Sequence, residues 1–188
     1  MTQVEMSQLG PLLPLVGHWE GIKGEDKAPD DDKKSVETNL YREKMRFEYI
    51  GQVDNHEQSL FGLRYHTMAW RLGVEDSFHE DTGYLLWDTK AGQVLKCFVV
   101  PRGISVIAGG KCEPGAKTIQ IAAAVGSDTY GICSNQFLDR EFKTVRYELK
   151  IQFLGENSFS YESDSVLKLK GQEKLFHHTD RNTLKRAE

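Results

Sequence analysis

The chain of 188 residues carries 28% charged and 39% hydrophobic side chains, proportions ordinary for one water-soluble globular domain. With 24 Lys and Arg against 28 Asp and Glu, its net charge of -4 offers no general attraction to nucleic acid or an acidic membrane surface, and no apolar run approaches the roughly 18 residues of a membrane span. Cys97, Cys112 and Cys133 are widely spaced and form no CxxC pair, which argues against a disulfide framework or a structural zinc site.

The opening MTQVEMSQLGPLLPLVG has an acidic rather than a basic start and a short apolar stretch broken by two prolines, so it does not read as a signal peptide. A cytoplasmic location is expected. A short helix is expected near Ser7 to Leu15, limited by Gly10, Pro11 and Pro14, within a lead-in over residues 1–16. From residue 17 the pattern is repeated period-two alternation punctuated by turn residues. Strand-like runs fall near residues 17–24, 36–50, 57–71, 77–88, 93–100, 103–109 and 117–125. EFKTVRYELKIQFLGEN, SFSYESDSVLKLKGQE and LFHHTDRNTLKR follow as three more. Short connections such as DTKAG at 88–92 suit an up-and-down meander, and closing such a sheet removes its edges. The expectation is all-β: one antiparallel barrel domain over residues 1–188, with about ten strands over residues 17–186. Two segments, 24–35 and 126–139, interrupt the meander, and the acidic first one reads as a solvated loop.

Within GHWEGIKG, residues 17–24, Trp19 between glycines suits a plug at the narrow end of a barrel. RYHTMAWR places His66, Met68 and Trp70 on one face, and FHEDTGYLLWD places His79, Asp81, Gly83, Leu85 and Trp87 on one face, though spacing alone does not say which faces are inside. GISVIAGGKC lacks the glycine spacing and the Ser or Thr of a phosphate loop, DKAPDDDKKS lacks the ligand spacing of an EF-hand, and no GxSxG, HExxH or CxxC occurs.

The final strand is unusually polar. In FHHTDRNTL, residues 176–184, alternation puts Phe176, His178, Asp180, Asn182 and Leu184 on one side and His177, Thr179, Arg181 and Thr183 on the other. The apolar ends mark the first set as the interior face. Buried His178, Asp180 and Asn182 then need partners, since each unsatisfied group costs roughly 1–3 kcal/mol, and Asp180 is near enough to orient the His178 ring.

GHWEGIKG, FHEDTGYLLWD, VPRG at 100–103 and HTDRNTL at 178–184 together resemble the nitrobindin-like heme-binding β-barrels, relatives in shape of the lipocalins and fatty-acid-binding proteins. The likeness is greatest to a bacterial subgroup with "FHxETGYxLWD" and "HTDxNxL". It runs from Trp19 to Arg186. The chain departs from the family's GxWxGxG by spacing its last glycine one residue further, and matching the basic end TLKR puts Thr179, one residue from His178, at the family's ligand position. The resemblance implies a ten-stranded barrel with a ligand cavity, ferric heme b held by a histidine near the C-terminus, here His178, and peroxynitrite isomerisation as the chemistry of the bound iron.

Other candidates for the cavity are His66 and His79. The alternative expectation is a metal-free carrier of a fatty-acid-like carboxylate, paired with Arg146 or Arg186. A cofactor-free enzyme using His178 and Asp180 as an acid–base pair has no nucleophile motif to support it. The expected partner is a small hydrophobic or amphipathic ligand, with no nucleic acid and no membrane span; nothing in the pattern opposes a homodimer.

Overall fold

The computed structural model describes residues 7–187, so Met1 to Met6 of the leader reading lie outside the described residues. The alternating segments form β1 (Gly17–Pro29), β2 (Val36–Asn55), β3 (Gln58–Arg71), β4 (His79–Asp88), β5 (Gln93–Val100), β6 (Ile104–Lys111), β7 (Thr118–Ala124), β8 (Ile132–Ser134), β9 (Phe142–Gly155), β10 (Ser158–Leu169) and β11 (Phe176–Arg186). Their order is β5-β4-β3-β2-β1-β11-β10-β9-β7-β6-β8, and β5 also pairs with β6, which closes the sheet. Ten strands make the antiparallel barrel, and three-residue β8 pairs beside β7 on β6. The expected fold class is therefore observed. No helix among the described residues is long and apolar enough to cross a membrane.

Two expectations change in detail. A 3-10 helix covers Gly10–Leu15 where Ser7–Leu15 is expected: the left-handed Gly10 backbone, φ +54°, separates it from the residues before, and Pro11 and Pro14 inside it lack the amide donors of a regular α-helix. In the 126–139 segment, Gln136–Glu141 forms a short α-helix, α1, whose N-cap Asn135 accepts a hydrogen bond from the Leu138 amide at 2.9 Å. Six residues are too few to give a helical period a reader would notice.

The barrel has two unlike ends. At one, the 3-10 helix presses the fully buried Leu9, Leu12 and Leu15 against Trp19, Trp87 and Leu184. Gly10 has φ +54°, and a Cβ there would come within 2.6 Å of the Trp87 indole, so glycine serves both the backbone and the packing. At the other end, Phe78, Phe137 and Phe142 surround a mouth that opens into the interior.

The strand faces obey alternation except at bulges. In β9, Val145 is extra: Val166 and Leu167 of β10 pair with Arg146 and Thr144, so Thr144 and Tyr147 are both buried although parity alone would place them on opposite faces. In β1, the pairings Gly21 with Glu43 and Gly24 with Tyr41 skip one residue, leaving Ile22 70% exposed. This bulge is where the extra residue of GHWEGIKG goes.

Candidate functional site

The barrel encloses a cavity of about 820 Å³, within the range of small-molecule and cofactor sites. Apolar walls come from Phe47, Leu85, Phe98, Val106, Leu149 and Phe159, and Arg71 and Arg102 stand at the mouth. The unusual feature is a set of ionisable groups on the inward faces of β1, β2, β4, β5 and β11.

The last strand supplies His178, Asp180 and Asn182 to the interior side. β11 pairs with β10 without a bulge from Leu167–Phe176 to Ser158–Lys185, so Thr179 keeps the opposite parity from His178. His178 lines the cavity and is about a third exposed. Its partner is not Asp180, as the sequence suggests, but Asp26, whose Oδ1 lies 2.6 Å from His178 Nε2. Burial pushes the Asp26 carboxyl up, yet the hydrogen bond and charge of His178, with help from Asn39, hold it below its ordinary value. An ionised carboxylate only accepts, so Nε2–H donates. Asn39 Nδ2 donates to the other Asp26 oxygen at 3.1 Å, and Arg71 Nε donates to Asn39 Oδ1 at 2.6 Å.

Asp26 owes its place to the β1 bulge. Trp19 and Gly21 face inward before the extra residue, Gly24 and Asp26 after it. Without that residue Asp26 would turn outward, because a one-residue slip reverses every later side chain. The sequence reading of residues 24–35 as a loop is corrected accordingly: β1 continues to Pro29 and only the 30–35 turn remains, closed by the Asp30 amide on Ser35 O at 3.1 Å. Gly24 is also required by packing, since a Cβ there would overlap the Tyr41 ring.

Asp180 belongs to a second cluster. Tyr41 donates to its Oδ1, and Tyr161 donates to its Oδ2 at 3.0 Å. Tyr161 Oη also lies 3.0 and 3.1 Å from the two oxygens of Glu43, and Asn182 Nδ2 donates to Glu43 Oε2 at 3.0 Å. Burial, then the charge of Asp180, pushes Glu43 up to about 8. Burial also raises Asp180 against the two tyrosine hydrogen bonds. The neutral Glu43 carboxyl therefore donates to Tyr161 at neutral pH, which frees the Tyr161 proton for Asp180.

A third group sits on β3, β4, β5 and β9. Lys96, 9% exposed, donates to Tyr147 Oη at 3.3 Å and lies over the rings of Phe98 at 4.2 Å and Tyr65 at 5.0 Å. Burial pulls Lys96 down, but Tyr147 and Asp81 outweigh it and it stays charged. Asp81 is held low because Lys96 and His79 outweigh its burial.

Several expected site residues lie elsewhere. His66 is on the outer face of β3, paired with Glu80 at 2.9 Å, because Tyr65, Thr67 and Ala69 take the inner positions. Arg146 is outside, against Glu148 at 3.3 Å. Arg186 is outside at the plugged end, bonding Val16 O at 2.5 Å and Pro14 O at 3.0 Å. His79 does line the cavity, with Nε2 3.5 Å from Asp81 Oδ2. Neither arginine can meet a carboxylate inside; among the described residues, the arginine and lysine side chains that line the cavity are Arg71, Arg102 and Lys96.

Comparison with known proteins agrees with this architecture. A family model described as a THAP4-like, heme-binding beta-barrel domain matches residues 8–186. Among solved structures, that of Rv2717c from M. tuberculosis superposes with a TM-score of 0.68 at 22% identity, covering 93% of this chain and 94% of that one, a likeness of fold. No curated protein matches the sequence.

Proposed function

The chain belongs to the THAP4-like heme-binding β-barrel family, and from that premise we propose that its interior binds a small amphipathic ligand, with heme b the ligand and His178 the axial donor. The observation that carries the reading is the His178–Asp26 pair. A metal-ligating imidazole characteristically donates its other ring N–H to a carboxylate, which fixes the tautomer and raises the basicity of the donor nitrogen. Here Nε2–H is held by Asp26, and Nδ1 has no hydrogen bond among the described residues. The rest of the donor set fits as well. Phe78, Phe98 and Phe142 offer aromatic wall for a porphyrin, and Arg71 and Arg102 at the mouth suit its carboxylates.

When bound, the iron would supply nitrogen-oxide chemistry of the peroxynitrite-isomerising kind. The chain's part is to hold the ring, exclude bulk water behind the mouth and turn the Nδ1 side of the imidazole, which has no hydrogen bond among the described residues, to the ligand. Heme titration is expected to give a Soret shift in the parent protein and in His177→Ala, whose exposed ring pairs with Asp164 outside the barrel, and to lose or strongly alter it in His178→Ala. Unchanged spectra and affinity in His178→Ala would remove it as the ligand and leave His79 as the remaining cavity histidine.

Asp26→Asn tests the orienting role separately. Loss of such a partner typically costs 10–100-fold in metal affinity, so heme affinity should fall by about that factor while the apoprotein still folds. Affinity equal to the parent's would mean that Asp26 does not set the ring.

A further inference from the structure

The cavity contains polar groups that the heme reading does not use. Tyr65 Oη and Asp81 Oδ1 are both buried without a hydrogen-bond partner among the described residues, and the side chains that carry them are 2% and 8% exposed. They are close enough for a weak mutual attraction that helps to raise the Tyr65 hydroxyl and lower the Asp81 carboxyl, yet neither atom completes a hydrogen bond of ordinary length among the described residues. Lys96 stands beside them, with Tyr147 as the one acceptor shown for its three N–H donors. All four residues are more than nine-tenths buried, and all four line the same cavity.

From this geometry we infer a second, inner subsite, built by Tyr65, Asp81, Lys96 and Tyr147, that takes the hydroxyl group of an otherwise apolar ligand such as an aromatic alcohol. The inference rests on the interior being a ligand chamber, and not on heme. The choice of hydroxyl follows from what the four residues can and cannot offer. Lys96 only donates, the ionised Asp81 only accepts, and the tyrosines do either. A ligand oxygen that accepts from Lys96 or Tyr65 while its own proton goes to Asp81 Oδ1 satisfies both signs at once. A carboxylate would meet Lys96 but set like charge against Asp81, and an ammonium would do the reverse. A hydrocarbon would leave every group unpaired. Sites built to hydrogen-bond a hydroxyl discriminate strongly against analogues lacking it, since the site's own buried groups are then orphaned. Phe98 and Leu85 supply apolar contact beside the subsite.

The test is a matched series titrated by calorimetry into the full-length protein: 1-naphthol, naphthalene, 1-naphthoate and 1-naphthylmethylammonium. We expect 1-naphthol to bind at least about tenfold more tightly than each of the others. Tyr65→Phe should weaken 1-naphthol severalfold, leave naphthalene unchanged and keep or raise the melting temperature, because the hydroxyl it removes is unpaired in the free protein. Asp81→Asn, with its amide in place of the charge, should let 1-naphthoate approach 1-naphthol in affinity. Equal binding of naphthol and naphthalene, tighter binding of naphthoate to the parent, or no binding of any probe overturns the subsite. So does an unaltered naphthol affinity in Tyr65→Phe. None of these outcomes bears on the Soret titration of His178, so the two readings fail separately.

Discussion

Between about pH 5 and pH 9 the protein is expected to lose stability, and Glu43→Gln to remove most of that loss. Glu43 is pushed from its ordinary 4.5 up to about 8 in the folded state by burial and by Asp180. In that interval the folded chain binds more protons than the unfolded one, so stability falls as pH rises. The contribution of Glu43 is fully present below about 4.5 and gone above about 8. At about 1.4 kcal/mol per pKa unit, the shift corresponds to on the order of 5 kcal/mol, of which about 4 falls between pH 5 and pH 9. Asp180, also raised, acts in the same direction. Asp26 and Asp81 are held below 3.8 and act oppositely, but their contribution is lost only as pH falls through their lowered values, outside this window.

A glutamine at position 43 keeps the network intact. Its carbonyl can accept from Asn182 and its amide can donate to Tyr161, as the neutral carboxyl does in the parent. Denaturant unfolding of the two proteins should give nearly equal stabilities at pH 5 and a gap of on the order of 4 kcal/mol in favour of Glu43→Gln at pH 9. Parallel pH profiles would mean that Glu43 is ionised in the folded barrel at neutral pH, and the proton path from Glu43 through Tyr161 to Asp180 would be wrong.

Much of this architecture is legible in the sequence because a closed sheet makes parity informative. Phe176 and Leu184 mark which face of the last strand is inside, and Asp180 and Asn182 then follow in the same register. Parity fails where one residue is added. Asp26 sits in a run of acids and lysines that reads as solvent-exposed loop, and only the bulge at Gly21–Gly24 turns it inward. The extra residue of GHWEGIKG is visible in the sequence, but its consequence requires knowing that β1 absorbs the insertion rather than its partners. His66 and His79 show the complementary limit. Each lies in a strand of mixed character, and the inner face shows only in the fold, where Tyr65 and Thr67 flank His66 in β3 as the buried positions and Asp81 shares the inner face of β4 with His79. The Lys96 group is harder still. Lys96 in QVLKCFVV looks like the polar side of an alternating strand, and nothing local says that three aromatic and acidic partners, Tyr65, Asp81 and Tyr147 on β3, β4 and β9, wait to receive it.

The largest single loss of stability is expected from Trp19→Ala. Trp19 is 2% exposed and sits where the 3-10 helix, β1 and β11 converge. Its indole Nε1 donates to Leu15 O at 2.7 Å, its ring meets Phe159 edge-on at 4.8 Å between centroids, and the Arg186 guanidinium lies 4.3 Å above it. Truncation removes the ring, orphans the Leu15 carbonyl and takes away the surface on which Arg186 rests. Replacing a buried tryptophan with alanine costs about 3–5 kcal/mol, which for a chain of this size lowers the melting temperature by roughly 6–20 °C. Trp19→Phe keeps an aromatic ring for Phe159 and Arg186 and loses chiefly the hydrogen bond, so its loss should be nearer 1–2 kcal/mol. The plugged end and the mouth lie at opposite ends of the same strands, Trp19 pairing with Arg186 at one end of β11 and Lys27 with Thr179 near the other. The heme titration of folded Trp19→Phe should therefore match that of the parent. A Soret response that changed with Trp19 while His178→Ala left it intact would move the ligand from the mouth to the plugged end and reverse the assignment of the site.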